Sequence, residues 1–277
     1  MSQFLQCGAF KLSLERPLIM GVVNVTPDSF SDGGLYASAE QAVAQARRLI
    51  GEGADILDLG GESTRPGAAP VALDEERRRV LPVLDALAGC GVPLSVDTRK
   101  PALMAEAIAA GAAMVNDVTA LTAPAALEAV AQSPVAVCLM HMRGEPGTMQ
   151  DNPAYQDVVR EVREYLASRV AAAERAGIAR DRIVADPGFG FGKTNEHNLA
   201  LLGSLVEFRS LGVALMAGLS RKAMLGKLTG REPRERVHAS VAAALLAVQN
   251  GAQIVRVHDV AATRDALAVW NAVKLRT

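Results

Sequence analysis

An α/β fold, a single (β/α)8 TIM barrel with a short N-terminal β-hairpin, is what this sequence predicts on three observations. Eight short runs of apolar, β-prone residues alternate with longer segments of helical pattern. The runs are nearly continuous in their apolar character, as expected of strands covered on both faces in a parallel sheet. A length of 277 residues, 50% of them hydrophobic, suits a barrel that typically takes about 250 residues. One domain is expected over 1–277, with the hairpin in 1–17 and the barrel in 18–277. An open doubly wound sheet is the alternative; eight βα units without a break in composition favour closure.

In chain order, the residues before Leu18 (FLQCGAFKLSL) alternate and contain a turn, which predicts a small hairpin outside the barrel. Strands follow at 18–25 (LIMGVVNV), 56–61 (ILDLGG), 93–98 (PLSVDT) and 113–118 (AMVNDV). Four more are expected at 135–142 (VAVCLMHM), 182–187 (RIVADP), 213–220 (VALMAGLS) and 253–260 (QIVRVHDV). Helices are expected at 39–52, 73–88, 101–110, 124–132, 155–176, 196–209, 236–250 and 261–273. Ser38 with Gln41 offers a capping box for the first, and Pro82 should kink the second. Gly53, Gly91, Gly111, Gly177, Gly212 and Gly251 each precede Ala, Val or Ile, where a left-handed residue turns a helix end into the next strand.

The bulk properties mainly exclude. Acidic and basic side chains nearly cancel, 30 against 29, and aromatics are 4%, so neither a basic face nor a base-stacking pattern points to nucleic acid. Cys7, Cys90 and Cys138 are odd in number and far apart, which fits reduced cytosolic thiols rather than a disulfide framework. Lys11, Glu15 and Arg16 interrupt any apolar leader. The longest apolar stretch, 239–248, falls short of the roughly 20 residues that cross a membrane. A soluble, cytoplasmic protein with no membrane or nucleic-acid partner is expected.

Every predicted strand gathers polar residues at its C-terminal end: Asn24, Glu62 to Arg65, Asp97-Thr98-Arg99, Asn116-Asp117, His141, Asp186, Ser220-Arg221-Lys222 and Arg256-His258-Asp259. In a barrel those ends meet on one face, where such folds place their active sites. Familiar motifs do not explain the set. DPGFGFGKT carries Pro187 where a phosphate-binding loop needs glycine, and GLSRK carries Lys222 where a nucleophile elbow needs its second glycine. No clustered Cys/His set suggests tight zinc binding. Arg65, Arg256, His258, Asn24 and Thr64 suit a phosphate-like anion, with Mg2+ if one is present. Asp97, Asn116 and Asp186 suit a heterocycle with an amidine-like N–C–N edge, and Lys222 suits a ring carbonyl or nitrogen. A hydrogen-bonding heterocycle bearing a diphosphate is the substrate class this chemistry suggests. Duller readings stand beside these. Thr98 is a candidate helix cap before Pro101. Asp117, His197 and His238 read as structural, and His141 either lines the heterocycle pocket or is a core histidine, the latter slightly favoured. Arg221 either contacts phosphate or braces its loop, Lys193 is unassigned, and the charged run 231–236 reads as a solvated face.

At these residues the sequence resembles the dihydropteroate synthases. The matching stretches are MGVVNVTPDSFSDGG (20–34), DLGGESTRPGA (58–68), SVDTRKP (95–101), VNDV (115–118), LMHMRGEPGTMQ (139–150), DPGFGFGK (186–193), GLSRKAMLG (218–226) and RVHDV (256–260). The resemblance implies a transferase of folate biosynthesis that joins 4-aminobenzoate to (7,8-dihydropterin-6-yl)methyl diphosphate, releasing diphosphate. It implies that Asp97, Asn116, Asp186 and Lys222 hold the pterin with Arg256 over its ring, and that Thr64, Arg65, Arg256 and His258 hold the diphosphate. Asn24 would help place Mg2+, the implied cofactor, while Phe30, Pro66, Phe191, Ser220 and Lys222 would border the 4-aminobenzoate. Asp97, Lys222, Arg256 and His258 become the expected catalytic residues, along a dissociative, SN1-like path with assisted diphosphate departure. Segments 26–36 and 63–70 would serve as lids. A homodimer through the last helices and sensitivity to sulfonamides are also implied. A pterin-binding methyltransferase barrel and a non-catalytic pterin-binding paralogue are the competing readings.

Overall fold

The computed structural model of the chain describes residues 3–25, 34–63 and 67–274. Phe30, Thr64, Arg65 and Pro66, and with them most of the two expected lids, lie outside the described residues. Two short strands, β1 (Phe4–Cys7) and β2 (Phe10–Ser13), pair antiparallel as a separate hairpin. Eight parallel strands then close into a barrel in the order β10-β3-β4-β5-β6-β7-β8-β9. They are β3 (Leu18–Asn24), β4 (Ile56–Gly60), β5 (Leu94–Asp97), β6 (Met114–Asp117), β7 (Ala136–Met140), β8 (Ile183–Asp186), β9 (Ala214–Ala217) and β10 (Ile254–Val257). Each lies within its predicted range, so the barrel expectation holds and the open sheet is excluded.

Alternation hidden inside the apolar runs divides the core into two shells. Ile19, Val23, Leu57, Leu59, Val96, Val115, Val137, Leu139, Ile183, Ala185, Leu215 and Val255 pack outward among the surrounding helices. Leu18, Met20, Ile56, Met114, Ala136, Cys138, Val184, Ala214, Met216 and Ile254 fill the interior. Each large side chain buried this way stabilises the fold by roughly 1.5–3 kcal/mol. Leu5, Cys7 and Leu14 join the interior cluster, so the hairpin closes the N-terminal mouth of the barrel. Gly8 N–H donates to the Pro134 carbonyl at 3.2 Å and the Cys7 thiol to that of Ala113 at 3.3 Å, fixing the plug in place. What remains open to chemistry is the opposite, C-terminal face.

Helix ends depart from expectation in instructive places. Helix α1 (Gly34–Gly51) starts before Ser38, so the Ser38/Gln41 capping box is not its beginning. Helix α2 (Leu73–Ala86) continues through Pro82. Helix α3 (Pro101–Ala109) is entered from an extended Lys100, and Thr98 Oγ1 instead accepts the Lys100 N–H at 3.2 Å. Helices α4 (Ala126–Ala131) and α5 (Val158–Arg175) follow, the latter capped by Asp157. The single helix expected at 196–209 divides into α6 (Asn195–Gly203) and a 3-10 segment Leu205–Leu211, because Gly203-Ser204 is a poor helical step. A helix that periodicity could not show, α7 (Ala223–Thr229), is too short for a repeat to be read. Helices α8 (Val237–Gln249) and α9 (Val260–Lys274) complete the ring. All six glycines expected at the helix-to-strand steps have positive φ, between 70° and 109°.

Candidate active site

At the C-terminal ends of the strands, the inward-facing positions become polar. On β5 Asp97 follows Ser95 by two, on β6 Asn116 follows Met114 by two, and on β8 Asp186 follows Val184 by two. The register places Asp97 beside Gly60 and Asn116, and Asp186 beside Met140. Asp97, Asn116 and Asp186 are each at most 8% exposed. Inward polar side chains at one level of a closed barrel converge on one small volume.

Arg256 is the centre of that volume. Its Nε donates to Asp58 Oδ2 at 2.6 Å and its Nη2 to Asp97 Oδ2 at 3.0 Å. Asn116 Nδ2 donates to the same Asp58 oxygen at 3.0 Å. Two carboxylates therefore face one guanidinium. Burial pushes the Asp97 carboxyl up to about 8, the nearby Asp58 charge adds to the rise, and Arg256 only partly opposes it. Burial works against the charge on Arg256, but Asp58 and Asp97 outweigh it and hold its pKa above the ordinary value. Burial also raises Asp186, against the Gly188 N–H that donates to its Oδ1 at 2.7 Å and the charges of Lys222, Lys193 and Arg256. An acceptor set with raised pKa values, in a dry site, is suited to a ligand that brings N–H donors.

The loop after β8 carries Phe191 and is built on Lys193. The buried Lys193 ammonium donates to the carbonyls of His141 (3.2 Å), Gly188 (2.9 Å) and Phe191 (3.0 Å). It also lies 2.9 Å from His141 Nδ1. Burial, with the Lys193 charge, pushes His141 down to about 3, so its ring is neutral and that nitrogen can accept. Gly188 has φ +69°, and a Cβ there would stand 2.0 Å from the His141 carbonyl oxygen, so only glycine permits this approach. The Lys222 ammonium lies 4.2 Å from the centre of the Phe191 ring, joining two of the expected site residues.

Ser220, expected at the arylamine border, holds His258: its Oγ accepts the His258 N–H at 3.2 Å and lies 3.0 Å from His258 Nδ1. Arg221 is in a left-handed conformation and pairs with Asp259 at 2.6 Å, which favours the bracing role over a phosphate contact. Arg236 is not merely a solvated residue, since its Nη1 donates to the Arg221 and Lys222 carbonyls at 3.0 and 3.3 Å. Asp117 accepts from Thr119 and Leu121 within its own loop, as a structural residue should. Asn24 ends β3 at the level of Gly60.

Sequence reading missed Asp58, and it placed Glu62 among the polar strand ends without giving it a role. Asp58 is fully buried; the signal was an acid in the middle of an otherwise apolar strand, ILDLG. Glu62 accepts the Val71 N–H at 3.0 Å and pairs with Arg99 at 3.1 Å and with Lys100, which also pairs with the buried Glu76. The bond from the Val71 N–H ties together the residues that flank segment 63–70, and the ion pairs hold Glu62 in place for it.

Comparison with known proteins gives a consistent result. Residues 20–258 match the family model described as pterin binding enzyme. The chain is 55% identical to the dihydropteroate synthase of Neisseria meningitidis serogroup B, over 97% of this chain and 96% of that protein. Dihydropteroate synthase of Xanthomonas albilineans with 4-aminobenzoic acid superposes with a TM-score of 0.93 at 56% identity, covering 99% of both chains. The Yersinia pestis enzyme in a sulfonamide drug complex superposes with a TM-score of 0.93 at 46% identity, covering 98% of this chain and 99% of that one.

Proposed function

The chain belongs to the pterin-binding enzymes as a bacterial-type dihydropteroate synthase, a transferase, and from that membership we propose how its own residues carry the reaction. The condensation joins 4-aminobenzoate to (7,8-dihydropterin-6-yl)methyl diphosphate, giving 7,8-dihydropteroate and diphosphate. The observation that carries the residue assignment is the buried set Asp97, Asn116 and Asp186 gathered with the partly exposed Arg256 at the barrel mouth. Asp97 and Asp186 take the N–H groups of the pterin edge, Asn116 satisfies its remaining polar groups, and Lys222 reaches the ring carbonyl or nitrogen. Arg256 packs over the ring and, with Thr64, Arg65 and His258, holds the diphosphate. Phe191 and Ser220, with Phe30, Pro66 and Lys222, border the arylamine.

An arylamine is a weak nucleophile but neutral at pH 7, so no base is needed before it attacks; as the C–N bond forms and the C–O bond breaks, the proton of the new anilinium passes to the released diphosphate or to water. Catalysis then comes from stabilising the charge that leaves and the charge that remains. Arg256 and His258, the latter fixed by Ser220, meet the departing diphosphate. Asp97 favours the positive charge that develops on the pterinylmethyl carbon, along a dissociative, SN1-like path. Asn24 suits Mg2+ through its amide oxygen, a hard donor that supplements substrate phosphate oxygens; bound there, the cation would neutralise diphosphate charge. A homodimer through the last helices is part of the proposal, and the exposed Leu246, Val269 and Val273 on α8 and α9 supply apolar surface for it. Susceptibility to sulfonamides as arylamine mimics is included as well.

The test is diphosphate release by the purified protein with both substrates. Release that needs the pterin diphosphate, 4-aminobenzoate and Mg2+ together supports the proposal. Protein that binds the pterin diphosphate but forms no dihydropteroate would be a pterin-binding protein and not a synthase.

A further inference from the structure

We propose that Asp58 is a positioning residue: it keeps the Arg256 guanidinium and the Asn116 amide at the barrel mouth while Asp97 passes from Arg256 to the N–H edge of the heterocycle. The two carboxylates divide the guanidinium by different edges. Asp58 Oδ2 takes Nε at 2.6 Å, and Asp97 Oδ2 takes Nη2 at 3.0 Å. They also differ in depth: Asp58 pairs in register with Ser95, two residues before Asp97 on β5. Asp58 is fully buried and Asp97 is 8% exposed, so a ligand arriving from the open face reaches Asp97 first.

In a site that binds pterin on Asp97, as proposed above, the incoming N–H donors compete with Arg256 for that carboxylate. If Asp97 were its only partner, the exchange would strand a guanidinium that is 24% exposed and otherwise out of water, which is penalised. With Asp58 below, Arg256 keeps an ion pair throughout and stays poised over the ring and beside the diphosphate. Asp58 also takes the Asn116 amide at 3.0 Å, which fixes that side chain's oxygen toward the remaining polar edge. The second Asp58 oxygen and the neighbouring Ser95 hydroxyl have no hydrogen-bond partner among the described residues. A carboxylate kept fully buried with one oxygen unsatisfied is costly, and in this strand the charge has one evident use, the cation it holds.

Asp58→Asn in the full-length protein tests this against wild type. In ligand-free wild type the Arg256 Nε–H should give a slowly exchanging NMR signal that is displaced and fast-exchanging in the variant. Free pterin added to wild type should move the Arg256 Nη signals and leave the Nε signal in place. In steady-state turnover the variant's KM for the pterin diphosphate should rise about tenfold or more. Its KM for 4-aminobenzoate should hold, whereas a merely structural disturbance would move both. An unchanged Nε signal in Asp58→Asn, loss of the Nε signal on adding pterin, or an equal rise in both KM values overturns the proposal. Absence of any Arg256 response to pterin overturns it together with the pterin assignment. If wild type binds pterin but makes no dihydropteroate, the synthase reading fails and the NMR comparison alone decides the role of Asp58. Should Asp58→Asn fail to fold, the response of the wild-type Nε and Nη signals to pterin decides it.

Discussion

Arg256→Ala removes the cation that bridges two buried carboxylates, and its consequences can be worked out from two distances. The guanidinium makes charge-assisted bonds of 2.6 Å to Asp58 and 3.0 Å to Asp97. Hydrogen bonds to charged groups contribute about 1.5–3 kcal/mol each, and stripping a buried pair of one partner costs about 3–5 kcal/mol in total. That is a large part of the roughly 5–15 kcal/mol that holds a domain folded. The cost should depend on pH in a fixed direction. Asp97 is raised from 3.8 to about 8, so between those values the folded protein binds a proton that the unfolded chain has lost. Stability therefore falls with rising pH across that window, in wild type as well. Above about pH 8 wild-type Asp97 ionises against Arg256, while the variant, lacking the cation, must hold its proton to higher pH and keeps losing stability. Urea unfolding at about pH 6 and about pH 9 should thus show a larger deficit at the higher pH. Activity should fall by at least about 10²-fold in kcat/KM, as for loss of one transition-state donor. A variant with near wild-type kcat/KM, or a stability deficit that shrinks as pH rises, would refute the assignment of Arg256 to both tasks.

Three further outcomes follow from the same geometry. The kcat/KM for the pterin diphosphate should rise with pH toward about 8 in wild type, because an ionised Asp97 accepts the N–H edge; a pH–rate profile of Asp97→Asn should lack that limb. Lys193→Met removes the donor shared by three carbonyls. It should lower Tm by several degrees, at about 2–4 °C per kcal/mol for a chain near this size, and raise the KM for 4-aminobenzoate through the displaced Phe191. Gly188→Ala should leave little folded protein in a thermal melt, since the new Cβ would lie 2.0 Å from the His141 carbonyl oxygen at a φ of +69°.

How far the sequence could be read depends on the range of the force involved. Strand positions were legible because burial on both faces leaves a local run, and all eight runs contain their strands. The glycine steps were legible because a left-handed turn has a local, steric requirement. Helix starts were less legible: α1 begins ahead of the capping box at Ser38, and α6 stops at a Gly-Ser step inside an otherwise periodic segment. The polar strand ends were visible as a set, but their pairings were not. Nothing local says that Arg256 reaches back 198 residues to Asp58, or that Ser220 serves His258 before it serves a ligand. The lysine of DPGFGFGK had no readable role because its partners are mainly backbone carbonyls, which every residue carries.

The barrel interior explains why the charges gather at one level. Inward positions low on the strands, such as Met20, Ile56, Met114, Val184 and Ile254, are apolar and sealed below by the hairpin. A charge placed there would lose its water with no partner within reach. Two residues further along, at Asp58, Asn116, Asp186 and Arg256, the same alternation places polar groups on the inward side while the outward side stays apolar. Asp97, higher on the neighbouring strand, joins Asp58 against Arg256, and burial first, then this imbalance of two acids against one base, raises the Asp97 pKa. Either a proton or a ligand N–H edge must settle it. A neutral heterocycle rich in donors does so without bringing a counter-charge of its own, and the diphosphate attached to it still finds Arg256 held in place from beneath.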